Sequence, residues 1–496
     1  MSSVTPSNFC LTGIEGLDHV LAGGLPRHRF YLVLGDPGVG KTTLSLQFLL
    51  EGKRNGERIL YVTLSETKEE LYEVAASHGW DLDGIDIVEL SALEQQLSEK
   101  AESTLFHPSE VELNETTQVI LSQVERVQPQ RVVLDSLSEL RLLAGSALRY
   151  RRQLLALKQY FSGKNCTVLL LDDRVEVARD LEAQSIAHGV LMLQHLAPEY
   201  GGERRRLRIL KLRGVAYRGG YHDYLIRRGG LDVFPRLVAA EDRQTLKGGK
   251  FPSDLPELDT LVGGGLDAGT SNLFIGPAGT GKSVLASVYA LAAAARGEQV
   301  EVFTFDESRA IFINRANLVG PRLAEFMEKD LIRITQIDPA EISPGELASR
   351  VRDRVRTGAR LIIIDSINGY LAAMPEERHL TLHLHELCTF CSAYSAATVL
   401  IAEQKGLIGQ MQTQIDLTYL ADTVIHLRHF EVRGEVRQAI SVMKKRSSGH
   451  ERFIRELKVD TRGVRVGQPL TEFHGVLTGT PVFHGDPMSM ISERNA

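Results

Sequence analysis

The chain has 496 residues, 43% hydrophobic and 24% charged, which excludes a disordered protein and indicates two or three folded domains. A net charge of −6 argues against a protein whose main task is coating nucleic acid, and four cysteines in so long a chain exclude a disulfide framework. Met1–Leu11 has no basic stretch followed by an apolar one, and Arg296 ends the longest apolar run, Val284–Ala295, well short of the ~18 residues of a membrane span, so a cytoplasmic protein is expected.

In chain order, Thr12–Asp18 and Gly23-Gly24-Leu25 precede a short buried strand, Phe30–Leu34. The next residues, Gly35-Asp36-Pro37-Gly38-Val39-Gly40-Lys41-Thr42, fit the phosphate-loop pattern G-x-x-x-x-G-K-[ST], and a helix opens at Thr42-Thr43. Glycines let backbone N–H groups turn inward around phosphate oxygens, and the helix N-terminus adds its positive dipole end. Lys41 is predicted to reach the β- and γ-phosphates of ATP, and the Thr42 hydroxyl to ligate Mg²⁺. A strand follows at Arg58–Leu64, then helices at Lys68–His78 and Glu115–Val127. The strand Arg131–Leu134 ends in Asp135-Ser136, and a helix at Leu148–Phe161 and a strand at Thr167–Leu171 come after it. Three late strands close the half: Val190–Leu196, Arg206–Arg213 and Tyr221–Arg227.

The order then repeats. Ser253–Asp259 and Gly264-Gly265-Leu266 stand where their counterparts stood, ahead of Gly276-Pro277-Ala278-Gly279-Thr280-Gly281-Lys282-Ser283 and the helix Val284–Ala295. Strand Val300–Phe305, helix Pro344–Arg356, strand Leu361–Ile364 with Asp365-Ser366, a long helix Glu376–Ala396 and strand Thr398–Ala402 follow. Strands Asp422–Glu431, Glu435–Lys444 and Phe453–Lys458 finish the half. The pattern predicts a duplicated α/β protein: two mostly parallel twisted sheets with helices on both faces and antiparallel hairpins at one edge. The domains are set at 1–240 and 241–496, with a polar linker near Ala239–Gly249. Cys388 and Cys391 form a C-x-x-C inside the long helix, without a second pair, and are expected to be packed thiols.

Nucleotide hydrolysis needs an acid to hold Mg²⁺ through water and a carboxylate to orient the attacking water. Asp135 and Asp365, each ending an apolar strand, are the metal candidates with Thr42 and Ser283; the alternative is a helix-capping aspartate. Ser65-Glu66 and Asp306-Glu307 end the strand after each loop helix, where open α/β sheets bind ligands. Glu66 and Glu307 are the general-base candidates, with Asp306 a second carboxylate beside Glu307; solvated loop acids are the alternative. Lys211 and Arg213, and likewise Lys444 and Arg446, share a face of a late strand. They suit either cations aimed at the γ-phosphate of a neighbouring subunit or edge-strand charges that discourage aggregation.

Together these residues resemble the RecA-like ATPases, and more closely the KaiC family of circadian-clock proteins. The resemblance runs over nearly the whole chain. It includes both phosphate loops, Thr63-Leu-Ser-Glu-Thr67, Phe305-Asp-Glu-Ser-Arg309, Leu210-Lys-Leu-Arg-Gly214 and Phe430-Glu-Val-Arg-Gly-Glu435. It implies a homohexamer of two stacked rings with ATP between protomers. The first half would be the ATPase, and the second an autokinase and autophosphatase. The family's paired catalytic glutamates become Ser65-Glu66 and Asp306-Glu307 here. The stretch after Thr480-Pro481 lacks the family's longer regulatory tail, so a KaiA-like activator is not expected; a KaiB-like or signalling partner is left open. Asp422-Thr423 and Glu431–Glu435 place Thr418 and Tyr419 at the family's phosphorylated Ser-Thr pair, with Thr413 in a supporting place. Only Thr418 has a hydroxyl of the right reach, so one phosphorylation site is expected. The competing functions are a RecA-like DNA-dependent motor, disfavoured by the charge and the lack of a basic-aromatic stripe, and a nucleotide-gated scaffold without kinase activity.

Overall fold

A computed structural model describes residues 8–90, 108–174, 177–197, 201–241, 248–320, 322–372, 379–404, 417–432, 434–460, 463–478 and 481–484. The chain divides into two compact units, Met1–Arg236 and Leu237–Ala496. Leu237 and Ala239 already pack into the core of the second unit.

The first unit is built on strands β1 (Phe30–Gly35), β2 (Ile59–Thr63), β3 (Asp86–Glu89), β4 (Arg131–Asp135), β5 (Thr167–Asp173), β6 (Gly189–Leu196), β7 (Arg204–Leu212), β8 (His222–Arg227) and β9 (Gly230–Phe234). Its main helices are α1 (Lys41–Arg54), α2 (Lys68–His78), α3 (Pro108–Val127), α4 (Leu137–Ala144), α5 (Ala147–Ser162) and α6 (Val177–Ile186). The sheet order is β9-β8-β7-β6-β1-β5-β4-β2-β3, parallel from β3 to β6 and antiparallel beyond.

The second unit repeats this with β10 (Ser271–Gly276), α7 (Lys282–Ala295), β11 (Gln299–Thr304), α8 (Arg309–Val319), α9 (Leu323–Glu328), β12 (Ile332–Gln336), α10 (Pro344–Arg356) and β13 (Ala359–Asp365). It continues with α11 (Ile367–Ala372), α12 (Leu380–Ala393), β14 (Ala397–Glu403), β15 (Thr423–Val432), β16 (Glu435–Lys445), β17 (Arg455–Asp460) and β18 (Gly463–Pro469). Its order, β18-β17-β16-β15-β10-β14-β13-β11-β12, is the same topology.

Central strands are apolar on both faces because helices cover both. Tyr31 and Val33 enter one core layer, and Phe30, Leu32 and Leu34 the other. Phe274 on one face and Leu273 and Ile275 on the other repeat the arrangement. β3, β9, β12 and β18, which the sequence reading did not anticipate, are outer strands of their sheets. They carry too little continuous apolar pattern to stand out. Local caps set the helix starts. Thr67 and Glu70 form a reciprocal capping box on α2, with Glu70 N–H to Thr67 Oγ1 at 3.2 Å and Thr67 N–H to Glu70 Oε2 at 2.7 Å. Ser308 caps α8 through Ile311 N–H at 3.3 Å.

One tie has no counterpart in the second unit. Arg131 is fully buried, paired with Glu57, and donates to the carbonyls of Leu11 at 2.7 Å and Phe48 at 2.6 Å. At the matching register β13 carries Leu361, also fully buried.

Candidate functional site

Each phosphate loop follows the central strand of its sheet and leads into a helix whose first turn has no side-chain cap. The first N–H groups of α1 and α7 are thus left for an anion. The turn into α1 is made by Gly40 at φ +93°, where a Cβ would also lie 2.7 Å from Ile226 Cδ1, so only glycine fits. Late strands hold the loops from one side. In the first half Tyr224 OH donates to the Val39 carbonyl at 2.6 Å. In the second, His429 Nε2 lies 3.1 Å from the Ala278 carbonyl oxygen and Gln438 donates to that of Gly279 at 3.0 Å.

Lys41 Nζ donates to the carbonyls of Gly35 at 2.8 Å and Asp36 at 3.1 Å, and pairs with Asp173 at 2.8 Å. Its counterpart Lys282 is buried and donates to the Pro277 carbonyl at 2.7 Å; burial lowers its ammonium pKa, opposed by Glu403 and Asp365. Thr43 is buried in the first turn of α1, its hydroxyl 3.4 Å from His78 Nε2. Val39 and Thr280 are likewise buried, Thr280 Oγ1 donating to the Pro277 carbonyl at 2.8 Å.

The acids gather beside the loops. Thr42 Oγ1 lies 3.4 Å from Asp135 Oδ2 and 3.5 Å from Glu66 Oε1, and the buried Tyr61 donates its hydroxyl to Asp135 at 2.6 Å. Thr63 fixes the Glu66 backbone, accepting from its N–H at 2.9 Å and donating to its carbonyl at 2.7 Å. Burial, with Asp135 and Glu70 close by, pushes the Glu66 carboxyl up to about 7. Burial also raises Asp135. Glu66 Oε2 is buried with no hydrogen-bond partner. A hydroxyl, a carboxylate and an orphaned carboxylate oxygen at one loop are a donor set that suits Mg²⁺. That ion takes one or two protein ligands and fills the rest with phosphate and water. No all-protein cage is needed, and among the described residues there is none.

The second half arranges the same positions differently. Ser283 hydrogen-bonds Asp365, whose carboxyl burial pushes up to about 6 against Ser283 and Arg315. Asp306 accepts the Ser366 hydroxyl, and Glu307 is ion-paired to Arg315, whose Nη2 also lies 3.7 Å from Asp365 Oδ2. The first half has Val74 where Arg315 stands, at the same distance from the α2 cap.

The late-strand cations lie at the other end of each sheet. Lys211 is opposite Val190, which pairs with Leu32, three residues before Gly35. Lys444 is opposite Val424, which pairs with Leu273, three before Gly276. At about 3.3 Å per residue this is roughly 10 Å back from each chain's own loop. Lys211 and Arg213 both donate to carbonyls at the end of α6, of Gln184 at 2.7 Å and Ser185 at 3.2 Å. Lys444 donates to the Thr418 and Ala421 carbonyls, both at 2.8 Å, and Arg446 to that of Tyr419 at 3.3 Å. Leu417–Leu420 is a turn with Tyr419 exposed, so Thr418 and the two cations form one cluster. Thr413 lies outside the described residues.

Tyr61, Asp173 and Arg315 were missed by the sequence reading. Asp173 ends an apolar strand in an acid, the criterion that had singled out Asp135. Tyr61 and Arg315 required the register of the sheet and the pitch of α8. Cys388 and Cys391 are buried free thiols in the core.

Duplicated parallel sheets, each with a phosphate loop on its central strand and acids at the neighbouring strand ends, define a tandem RecA-like ATPase. The family model described as "ATPase: KaiC" matches residues 10–238 and again 251–471, and the chain belongs to that family. The chain is 28% identical over 499 residues to the circadian clock oscillator protein KaiC of Synechococcus elongatus, covering 95% of this chain and 91% of that one. The KaiC of Acaryochloris marina is 27% identical over 481 residues, with 95% and 91% covered. The circadian clock protein KaiC3 of Synechocystis sp. is 26% identical over 479 residues, with 95% and 94% covered. No helix among the described residues is long and apolar enough to cross a membrane.

Proposed function

We propose that the chain assembles as a homohexamer that binds Mg²⁺-ATP in both halves at subunit interfaces, hydrolyses it in the first, and phosphorylates itself on Thr418 in the second. One observation carries the reading. Lys211, Arg213, Lys444, Arg446 and Thr418 stand at the sheet ends opposite their own phosphate loops. In a closed ring that end of one protomer faces the loop of the next, so the cations reach a neighbour's γ-phosphate and Thr418 comes within its range.

Mg²⁺ would be held by Thr42 and Asp135, and by Ser283 and Asp365, and would offset charge on the phosphate oxygens. Within the chain, the loop N–H groups and Lys41 or Lys282 fix the triphosphate. Glu66 then accepts a proton from, and orients, the water in line with the γ-phosphate. In the second half Glu307, with Asp306 beside it, would accept the Thr418 proton of the adjoining protomer. Relatives named as circadian clock proteins support a timing or signalling role, and a KaiB-like or signalling partner is part of the same proposal. A cytoplasmic location is part of it too.

The test is incubation with γ-labelled ATP and Mg²⁺, followed by native mass spectrometry and phosphopeptide mapping. Six-fold rings, released phosphate and label on Thr418 that is absent in Thr418→Ala are expected. Label elsewhere, or rings of normal size from Lys41→Ala/Lys282→Ala protein without nucleotide, would overturn the assignment of Thr418 or of interfacial nucleotide. The Arg315–Glu307 pair favours a second reading, in which the second ring binds nucleotide as a conformational gate without kinase activity. Wild-type protein carrying no label would select it.

A further inference from the structure

In the second half the acids beside the phosphate loop already have a cation. Arg315 lies on α8, two helical turns beyond the Ser308 cap, which turns it back toward the strand ends. Its guanidinium pairs with Glu307 Oε2, stands 3.7 Å from Asp365 Oδ2, and rests on the Phe312 ring at 4.9 Å. Yet Nε and Nη2 of Arg315, Oε1 of Glu307 and Oδ2 of Asp365 are all buried without a hydrogen-bond partner. A guanidinium fixed for structure uses its fork on both carboxylates. This one spans two acids and satisfies neither fully, as a counter-ion held where a smaller, doubly charged ion fits better.

The first half supplies the contrast within one chain. Val74 stands at the equivalent place, and packs against the core. Asp135 takes a neutral donor, Tyr61, and Glu66 keeps an unpartnered oxygen.

We propose that Arg315, anchored by its pair with Glu307, is a positioning residue that competes with the divalent cation for Asp365, so that the second half takes up metal-bound nucleotide only when Arg315 is displaced. The second half then requires a higher Mg²⁺ concentration than the first. Arg315 thereby makes occupancy of one half sensitive to the cation at levels that saturate the other. The inference rests on the proposal that the second half binds Mg²⁺-ATP.

The test measures binding of a fluorescent ATP analogue to the full chain as Mg²⁺ is titrated. Lys41→Ala leaves only the second site to report, and Lys282→Ala only the first. In the Lys41→Ala background, Arg315→Val should lower the Mg²⁺ midpoint about tenfold, and Arg315→Lys should keep it near the wild-type value. The reciprocal Val74→Arg in the Lys282→Ala background should raise the midpoint of the first site. An unchanged or raised midpoint in Arg315→Val overturns the proposal. If that variant does not fold, an unchanged midpoint in Val74→Arg does so. Failure of Lys41→Ala protein to bind the analogue at any Mg²⁺ concentration would instead remove the nucleotide site from the second half, and the competition with it.

Discussion

The first half sets Glu66 beside Asp135 and Thr42 and leaves one of its oxygens without a partner. The second sets Arg315 between Glu307 and Asp365. Both halves have the same strand order and the same loop, so the difference comes from side chains, mainly from Val74 against Arg315 and Tyr61 against Val302. Under the proposed function Glu66 accepts a proton, and a carboxylate does so best when desolvated; burial pushes Glu66 up to about 7. A carboxylate holding a guanidinium has its charge spent on that ion. Duplication therefore preserved the cradle for phosphate while the two reaction ends diverged.

The largest expected effect breaks this contrast at its centre. Glu66→Gln, in a Lys282→Ala background, should slow phosphate release about 10²–10⁴-fold with nucleotide binding nearly intact. Glu307→Gln in a Lys41→Ala background should cost far less at Mg²⁺ concentrations too low to displace Arg315, which then masks that charge. Single-turnover phosphate release on both proteins is the measurement, and equal losses would show that the two acids work alike.

The halves also differ in how they hold the helix after the loop. Arg131 and Glu57 form a buried pair in the first, where the second has Leu361. Burial alone would raise the Glu57 carboxyl, but the Arg131 and Arg27 guanidiniums outweigh it and leave it below its ordinary value. A carboxylate lowered on folding contributes stability that is complete above its unfolded pKa and is lost as pH falls through its folded value. Glu57→Gln should thus cost the first half about 3–5 kcal/mol near neutral pH, because Arg131 stays buried without its counter-charge. The loss should shrink in acid, and adding Arg131→Leu, which copies the second half, should restore part of it. Separate unfolding transitions for the halves, followed by calorimetry across pH, would test this; a shift in the second half instead would sever the link to the pair.

Much of this fold could be read from residues alone because its signals are local. Three apolar residues before Asp135 and four before Asp365, and a glycine-rich loop between a strand and a helix, each lie within about ten residues. The bounds of α2 and α10 came out as predicted because capping residues, Thr67 and Ser343, mark their starts. The outer strands gave no such signal. Arg315 was invisible for another reason: α8 carries little helical apolar periodicity, so the helix itself does not stand out, and a lone arginine in it reads as a surface charge until α8 is docked. Asp173 could have been found, since β5 ends in an acid as β4 does. The sheet end at which Lys211 and Lys444 sit depends on strand register, which alternation alone does not give.

The smallest expected effect concerns that overlooked acid. Asp173 pairs with Lys41 at 2.8 Å, with Lys41 mostly buried and Asp173 42% exposed. Ser138 also donates to Asp173 at 3.3 Å and to Asp172 at 3.1 Å, so an amide at 173 would keep its place. In the second half Glu403 is tied through its backbone to Asn368, at 3.0 and 2.7 Å, and Lys282 donates to a loop carbonyl instead. Lys41 must leave Asp173 to reach a phosphate, whereas Lys282 leaves only Pro277. A half-exposed pair of this kind is worth about 0.2–1 kcal/mol, so Asp173→Asn should tighten nucleotide binding in the first half by a few-fold at most. Glu403→Gln should leave the second half nearly unchanged. Titration of a fluorescent ATP analogue into each variant, with the other half silenced at its loop lysine, resolves a change of that size. Weaker binding in Asp173→Asn would reverse the reading: Asp173 would then be aiming the Lys41 ammonium at the phosphates rather than holding it away from them.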